Sequence, residues 1–370
     1  MSALPPLPFM HLTPGPDAAA IRAGLDRVIA RGWFILGPEL TAFEAEFAAA
    51  CGAAHAVGVN TGTDAIALAL RALGIGPGDE VITSPLSAAY SALAIVMAGA
   101  TPVFVDLDID RLTLDPAKID AAVTPRTAAI LPVHLYGQSA DMVAIEAIAT
   151  RHNLAIVEDA CQAHLATANG RPVGTIGAAG AFSFYPTKNL GALGDAGAVI
   201  TNDAALAEKL RRLRNGGQTA KYHHVEFGVN SRLDEMQAAV LRARLPFLAG
   251  WTTRRRELAA RYRKALVGAP VIVPPERDPG HVYHLFPVRS AHRDALQAHL
   301  LGQGVETLIH FPIPIPKQPA MAGLAASSCP IADQVCDEVF SLPLHPALTD
   351  SDVDRVVAAV HQFHDPAAGR

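Results

Sequence analysis

Apolar positions recur along the chain in two periods. From Asp17 to Ala30, Ile21, Leu25, Val28 and Ile29 share one face, which predicts an amphipathic helix with Asp17 placed to cap it. Glu39 to Ala50 carries a similar stripe of Leu40, Phe43 and Phe47. An apolar turn, Trp33-Phe34-Ile35-Leu36-Gly37-Pro38, separates the two, and Leu7-Pro8-Phe9 is a short extended entry. From Ala56 to Val157 the pattern changes. Short apolar runs (Ala56–Val59, Val81–Thr83, Thr101–Val105, Ala128–Val133, Leu154–Val157) alternate with helical stretches, among them Ser87–Met97 and Met142–His152. Runs apolar on both faces, with helices between them, predict a mainly parallel sheet covered on both sides. Ala198–Thr201 is a further strand, and Asp203 caps a helix reaching Arg214. Leu241–Leu266 reads as a long helix, interrupted near Pro246, that crosses to a second lobe. There follow a strand at His281–Val288, a helix at Ala295–Gly302 and a capped helix from Thr349 to Val360. The expected division is residues 1–247 for a large domain and 248–370 for a smaller C-terminal α+β domain.

Composition narrows the class. The 370 residues are 50% apolar and 18% charged, which suits a soluble globular enzyme with a large core. A net charge of −5 gives no basic signal for nucleic acid or an anionic membrane. The four cysteines lack CxxC spacing, as expected of a reduced cytoplasmic protein. Among 15 histidines only His223-His224 and His281/His284 lie close together, without a carboxylate or thiol set, so they read as polar loop and strand-edge positions rather than metal ligands. No apolar stretch reaches membrane-spanning length, and Met1 to Met10 lacks the basic region and apolar core of a signal peptide.

The candidate chemistry centres on Phe182-Ser183-Phe184-Tyr185-Pro186-Thr187-Lys188-Asn189, followed by a run of small residues. Lysine seldom enters a core unpaired. A lysine desolvated beside such a run is a candidate Schiff-base former, because burial exposes its amine as a nucleophile; the alternative is a solvated loop lysine. Upstream, Leu154-Ala155-Ile156-Val157-Glu158-Asp159 is a buried-strand pattern with Asp159 at its carboxyl end, where open α/β sheets bind ligands. A carboxylate facing a pyridinium nitrogen, together with a lysine, is what pyridoxal phosphate requires; alone, Asp159 could be a helix cap. Thr61-Gly62-Thr63 at a helix start offers free N–H groups and hydroxyls, either as a phosphate site or as an ordinary cap.

Glu158-Asp159-Ala160-Cys161-Gln162-Ala163-His164, followed by Ser183-Phe184-Tyr185-Pro186-Thr187-Lys188-Asn189, resembles the DegT/DnrJ/EryC1/StrS aminotransferases over nearly the whole chain. The resemblance implies a PLP-dependent transferase of fold type I, aspartate aminotransferase-like, with a mainly parallel seven-stranded sheet. It implies pyridoxal 5'-phosphate bound covalently to Lys188, with a pyridoxamine form during turnover. Asp159 keeps the ring nitrogen protonated, Gln162 bonds the ring hydroxyl, and Gly62, Thr63 and Ser183 hold the phosphate. Asn230, in Gly228-Val229-Asn230-Ser231-Arg232-Leu233-Asp234-Glu235, reaches the phosphate of a neighbouring subunit, which implies a homodimer with shared sites. As bare chemistry Asn230 or Ser231 is an N-cap. His164, Tyr185, His310 and Phe311 fall on the substrate side, although the bare reading of Gln162 and His164 is capping or packing.

The sequence departs from the family at two places. Members usually carry an aromatic ring four residues after the proline matching Pro85, and that ring stacks on the cofactor; here the residue is Ala89, so either Tyr90, next to it, takes over after a local shift or the stack is weakened or supplied from elsewhere. Pro316 stands where members often have histidine. The basic run Lys209, Arg211, Arg212, Arg214 is either a solvated helix face or a nucleotide-phosphate patch, and the former reading is preferred.

The implied reaction is transamination of a nucleotide-linked keto-sugar, with L-glutamate as donor. The stretch Tyr185 to Asp195 resembles the 3-keto-sugar subgroup and points to a dTDP-3-keto-6-deoxyhexose. A 4-keto-sugar aminotransferase and a catalytically idle regulatory relative are the alternatives. Related sugar dehydratases replace the lysine with histidine, and Lys188 argues against them.

Overall fold

The computed structural model describes residues 5–324 and 328–364; the first four residues of the stretch read above for a signal peptide lie outside them. Seven strands form the central sheet: β1 His55–Val59, β2 Glu80–Thr83, β3 Thr101–Phe104, β4 Thr127–Leu131, β5 Ala155–Asp159, β6 Ala179–Ser183 and β7 Gly197–Thr201. Their order across the sheet is β1-β7-β6-β5-β4-β2-β3. Only β7 runs against its neighbours.

Period-two alternation builds both layers of the core. Ile82, Ile130, Ile156, Phe182 and Ile200 enter one layer. Their chain neighbours Val81, Leu131, Val157, Ala181 and Val199 enter the other. Helices α2 (Pro38–Cys51), α5 (Met142–His152) and α7 (Glu235–Arg244) cover the first face; α3 (Gly62–Ala72), α4 (Tyr90–Ala98) and α6 (Ala204–Leu213) cover the second. Phe43 and Phe47 of α2 meet Phe182 and Phe184 edge to face at 5.0–5.4 Å. Each buried ring contributes about 1.5–3 kcal/mol.

A second cluster joins α8 (Leu248–Ala265), α9 (Arg293–Gly302), α11 (Asp350–His361) and a two-stranded sheet of β8 (Phe286–Arg289) and β9 (Val339–Leu342). Leu7 packs into this cluster through its pairing with Val305. Helix α10 spans Pro330–Glu338. No helix among the described residues is long and apolar enough to cross a membrane.

Several boundaries differ from expectation, each for a local reason. Asp17 does not cap α1 (Ala18–Arg31): one carboxylate oxygen accepts from Gly15 N at 2.8 Å and the other pairs with Arg244 at 3.0 Å. Helix α4 starts at Tyr90 rather than Ser87, because Ser84 and Leu86 close a turn that holds Ser87 outside the helix. The expected Leu241–Leu266 helix is two helices, α7 and α8, joined by a 3-10 turn at Leu245–Phe247 where Pro246 has no N–H to donate. The strand expected at His281–Val288 is confined to Phe286–Arg289, since Tyr283 holds φ +47°, which no strand allows. Neither Asn230 nor Ser231 caps α7; its N-cap is Asp234. Asp203 and Thr349 do cap their helices, Thr349 in a full capping box with Asp352.

Candidate active site

Strands β5 and β6 are parallel neighbours, so their carboxyl ends open on the same side. Asp159 ends β5. Ser183 ends β6, and the loop after it carries Lys188. The start of α3 comes up beside them: a Cβ on Gly62 would lie 2.7 Å from Ser183 Cβ and 2.8 Å from Cys161 Sγ. Only glycine lets this helix N-terminus approach so closely. Thr61 caps α3 by accepting from Asp64 N at 3.0 Å. That leaves the Gly62 and Thr63 N–H groups without intrahelical partners, at the positive end of the helix dipole.

A cleft of ≈ 550 Å³ lies over these elements, and its walls include Gly62, Thr63, Tyr90, Asp159, Gln162, Ser183, Tyr185, Lys188, His310 and Phe311. The structure thus gathers ten of the twelve residues expected at the site. Asp159 is held on both oxygens: Oδ1 accepts from Cys161 N at 3.1 Å, and Oδ2 accepts from Ser91 Oγ at 2.7 Å. Gln162 Oε1 accepts from Tyr136 N at 2.8 Å, which leaves its amide N–H to the cleft. His310 Nδ1 lies 3.3 Å from Ser341 Oγ. Burial lowers the pKa of the Lys188 amine below the ordinary lysine value, while Cys161 and Asp159 pull it upward.

His164 is the correction. It lies fully buried behind β6, with Nε2 at 2.9 Å from Ser183 O and its ring among Phe182 and Phe184, so it does not line the cleft. Asn230 is exposed and bridged to Asn215, outside this cleft. Ala88 lines the cleft, whereas Ala89 is the N-cap of α4. Tyr90 lines it too, though the residue is 63% exposed.

Sequence reasoning missed Ser87, Ser91, Cys161 and His284, which also line the cleft. Ser87 and Ser91 are spaced by one helical turn, a signal available in the sequence. The pair His281/His284 stands out in the sequence, but its spacing gives only a loop or strand-edge position. Glu158, adjacent to Asp159, turns the other way: it accepts from Gly174 N, Ile176 N and Gly177 N and lies 3.0 Å from His134 Nε2. The basic run of α6 divides as well. Arg211 and Arg212 pair with Glu208 and Glu226, while Arg214 is buried against Glu44 and Gly58 O. Among the described residues no cluster of His, Cys, Asp or Glu could hold a metal ion.

The residues present fit pyridoxal phosphate. An amine, a carboxylate and an anion cradle face one cleft, and the glycine that the cradle demands is in place. A mainly parallel sheet with a lysine and an acid on neighbouring strand ends is that of the fold type I aminotransferases. The chain belongs to the DegT/DnrJ/EryC1/StrS aminotransferase family, which it matches over residues 17–361. It is 51% identical to a dTDP-3-amino-3,4,6-trideoxy-alpha-D-glucose transaminase of Streptomyces venezuelae, over 97% of this chain and 96% of that protein. It is 49% identical to a dTDP-3-amino-3,6-dideoxy-alpha-D-galactopyranose transaminase of Aneurinibacillus thermoaerophilus, over 93% and 95%. Among solved structures, S. venezuelae DesV in complex with a ketimine intermediate superposes with a TM-score of 0.93 at 50% identity, covering 98% of this chain and 100% of DesV.

Proposed function

We propose that this aminotransferase moves an amino group from L-glutamate to a nucleotide-linked keto-sugar, a dTDP-3-keto-6-deoxyhexose, with pyridoxal 5'-phosphate as its cofactor. The observation that carries the reading is the meeting of Lys188 and Asp159 in one cleft beside the Gly62 cradle. The relatives named above as dTDP-3-amino-sugar transaminases favour amination at C3. Bound pyridoxal phosphate supplies an electron sink for the carbon that loses its proton.

The chain's own residues do the rest. The half-buried Lys188 amine serves as nucleophile and then as the base that carries the proton at Nζ. Asp159, held by Ser91 and Cys161 N, keeps a proton on the ring nitrogen. Gln162 donates its free amide N–H to the ring hydroxyl. The Gly62 and Thr63 N–H groups and the Ser183 hydroxyl take the phosphate. Tyr185, His310 and Phe311 border the sugar nucleotide.

Asn230 serves the phosphate of the partner subunit in a homodimer. The exposed rings of Trp33, Phe34 and Phe227 support that assembly, since a partner surface would cover rings that are otherwise left to water. The four free cysteines support a cytoplasmic setting. The kink at Leu245–Phe247 supports a domain division near residue 247.

The test is an absorption spectrum of the purified protein, taken before and after L-glutamate and then after the 3-keto sugar nucleotide. A yellow band that bleaches with glutamate and returns with the sugar is expected, with no band in Lys188→Ala. Bleaching without return moves the substrate to the 4-keto series. A wild-type protein that stays colourless after soaking in pyridoxal phosphate rejects the reading.

A further inference from the structure

His284 reaches the cleft from an unusual stretch of backbone. Tyr283, just before it, sits at φ +47°, a conformation that a bulky residue adopts only when its surroundings impose it. The surroundings are specific. Val282 N donates to Gly137 O at 3.0 Å and fastens the loop to the large sheet domain. Arg255 Nη1 donates to the carbonyls of Tyr283, His284 and Leu344 at 2.8–3.2 Å. The backbone of His284 is therefore clamped from both sides.

The ring is clamped as well. Asn189, the residue after Lys188, donates its amide Nδ2 to Val282 O at 3.1 Å. A carbonyl cannot pair with a carbonyl, so this bond fixes the amide with Oδ1 facing His284. His284 Nδ1 lies 3.1 Å from that oxygen and must be the donor. The imidazole thus carries its proton on Nδ1. Nε2, with its lone pair, is the ring nitrogen without a partner among the described residues, on a side chain that lines the same cleft as Lys188.

We propose that His284 is a positioning residue for Lys188: its neutral ring, protonated on Nδ1, offers Nε2 as a hydrogen-bond acceptor to Lys188 Nζ. The inference deepens the active-site reading and rests on Lys188 being the working amine. Asp159 is the rival acceptor; its two oxygens already take Cys161 N and Ser91 Oγ, and its remaining lone pairs are those that the proposed function assigns to the cofactor's ring nitrogen. The charged and titratable groups that act on the imidazole are Lys188 and His310 in the cleft, Arg255 from α8 and His164 behind β6. Burial, followed by the positive charge of Lys188, keeps the ring far from its own protonation range, so it stays an acceptor. A neutral acceptor holds the freed amine in the cleft without the strong attraction of a second carboxylate.

The experiment reads Lys188 directly in the apoprotein, through the pH dependence of its acylation by acetic anhydride, scored by mass spectrometry of the peptide. A hydrogen bond accepted from the ammonium stabilises the charged form. His284→Phe is therefore expected to move the midpoint down by about one pH unit. His284→Gln keeps an acceptor oxygen and restores most of the shift. Asn189→Ala, which frees the ring without altering it, moves the midpoint the same way. A purely packing role gives the opposite ranking, with Phe tolerated and Gln not. An unchanged midpoint in folded His284→Phe, or Gln behaving as Phe, overturns the proposal. Cofactor binding is scored separately, so a chain that never takes pyridoxal phosphate but shows the midpoint shift rejects the proposed function and keeps this inference.

Discussion

Ser91 Oγ donates to Asp159 Oδ2 at 2.7 Å across 68 residues of chain, and Ser87 Oγ stands 3.0 Å behind it. The bond joins the first turn of α4 to the end of β5 and aims the second carboxylate oxygen. Hydrogen bonds to charged groups contribute about 1.5–3 kcal/mol. Ser91→Ala is expected to weaken pyridoxal phosphate binding about tenfold, at the lower end of that range. Ser91→Thr keeps the hydroxyl and stays near wild type. Titration of the apoprotein with the cofactor, followed by absorbance, checks both.

Adjacent carboxylates separate structure from chemistry. Glu158 is fully buried and takes three backbone N–H groups besides lying against His134, whereas Asp159 opens to the cleft. Glu158→Gln leaves part of that donor set unmatched, a change that costs about 1–3 kcal/mol or more. It is expected to lower the urea midpoint while activity per folded molecule persists. Asp159→Asn is expected to reverse the pattern: near-normal stability, with transamination reduced by two orders of magnitude or more, at about 1.4 kcal/mol per tenfold. Paired unfolding and activity assays distinguish them.

Gly62→Ala tests the cradle. The new methyl would meet Ser183 Cβ at 2.7 Å and Cys161 Sγ at 2.8 Å, and neither is the far end of a flexible chain. Overpacking of this kind costs about 1–3 kcal/mol. The apoprotein is expected to melt several degrees lower and to lose much of its affinity for free phosphate and for pyridoxal phosphate. An unchanged melting temperature with unchanged affinity contradicts the close approach.

Much of this was legible in the residues themselves. Ile82 beside Val81 and Ile130 beside Leu131 announce a sheet buried on both faces, and the Lys188 and Asp159 strand ends follow from that sheet. What was not legible depends on tertiary placement. The sequence order of Glu158 and Asp159 does not say which one turns toward the cleft. His164 follows Asp159 closely, yet β6 comes between its ring and the cleft. His284 reaches the cleft only because Tyr283 accepts a positive φ under the clamp of Arg255, which no local pattern announces.

The last prediction concerns acid stability. His164 and His281 are wholly buried, and burial lowers both imidazoles to about 3. In the unfolded chain they titrate near 6.5. Between these values the unfolded state binds more protons than the folded one, so stability rises with pH across the window and is lost as pH falls below about 6.5. Each histidine costs about 1.4 kcal/mol per pH unit there, or about 2 kcal/mol at pH 5. His164→Phe removes one such group and places a ring among Phe182 and Phe184, at the loss of the 2.9 Å bond to Ser183 O. That bond is worth about 1 kcal/mol. The variant apoprotein is therefore expected to be slightly less stable than wild type at pH 8 and more stable at pH 5. Urea unfolding at pH 8, 6.5 and 5 reads the crossing directly, and parallel curves would mean that His164 is already charged in the folded chain.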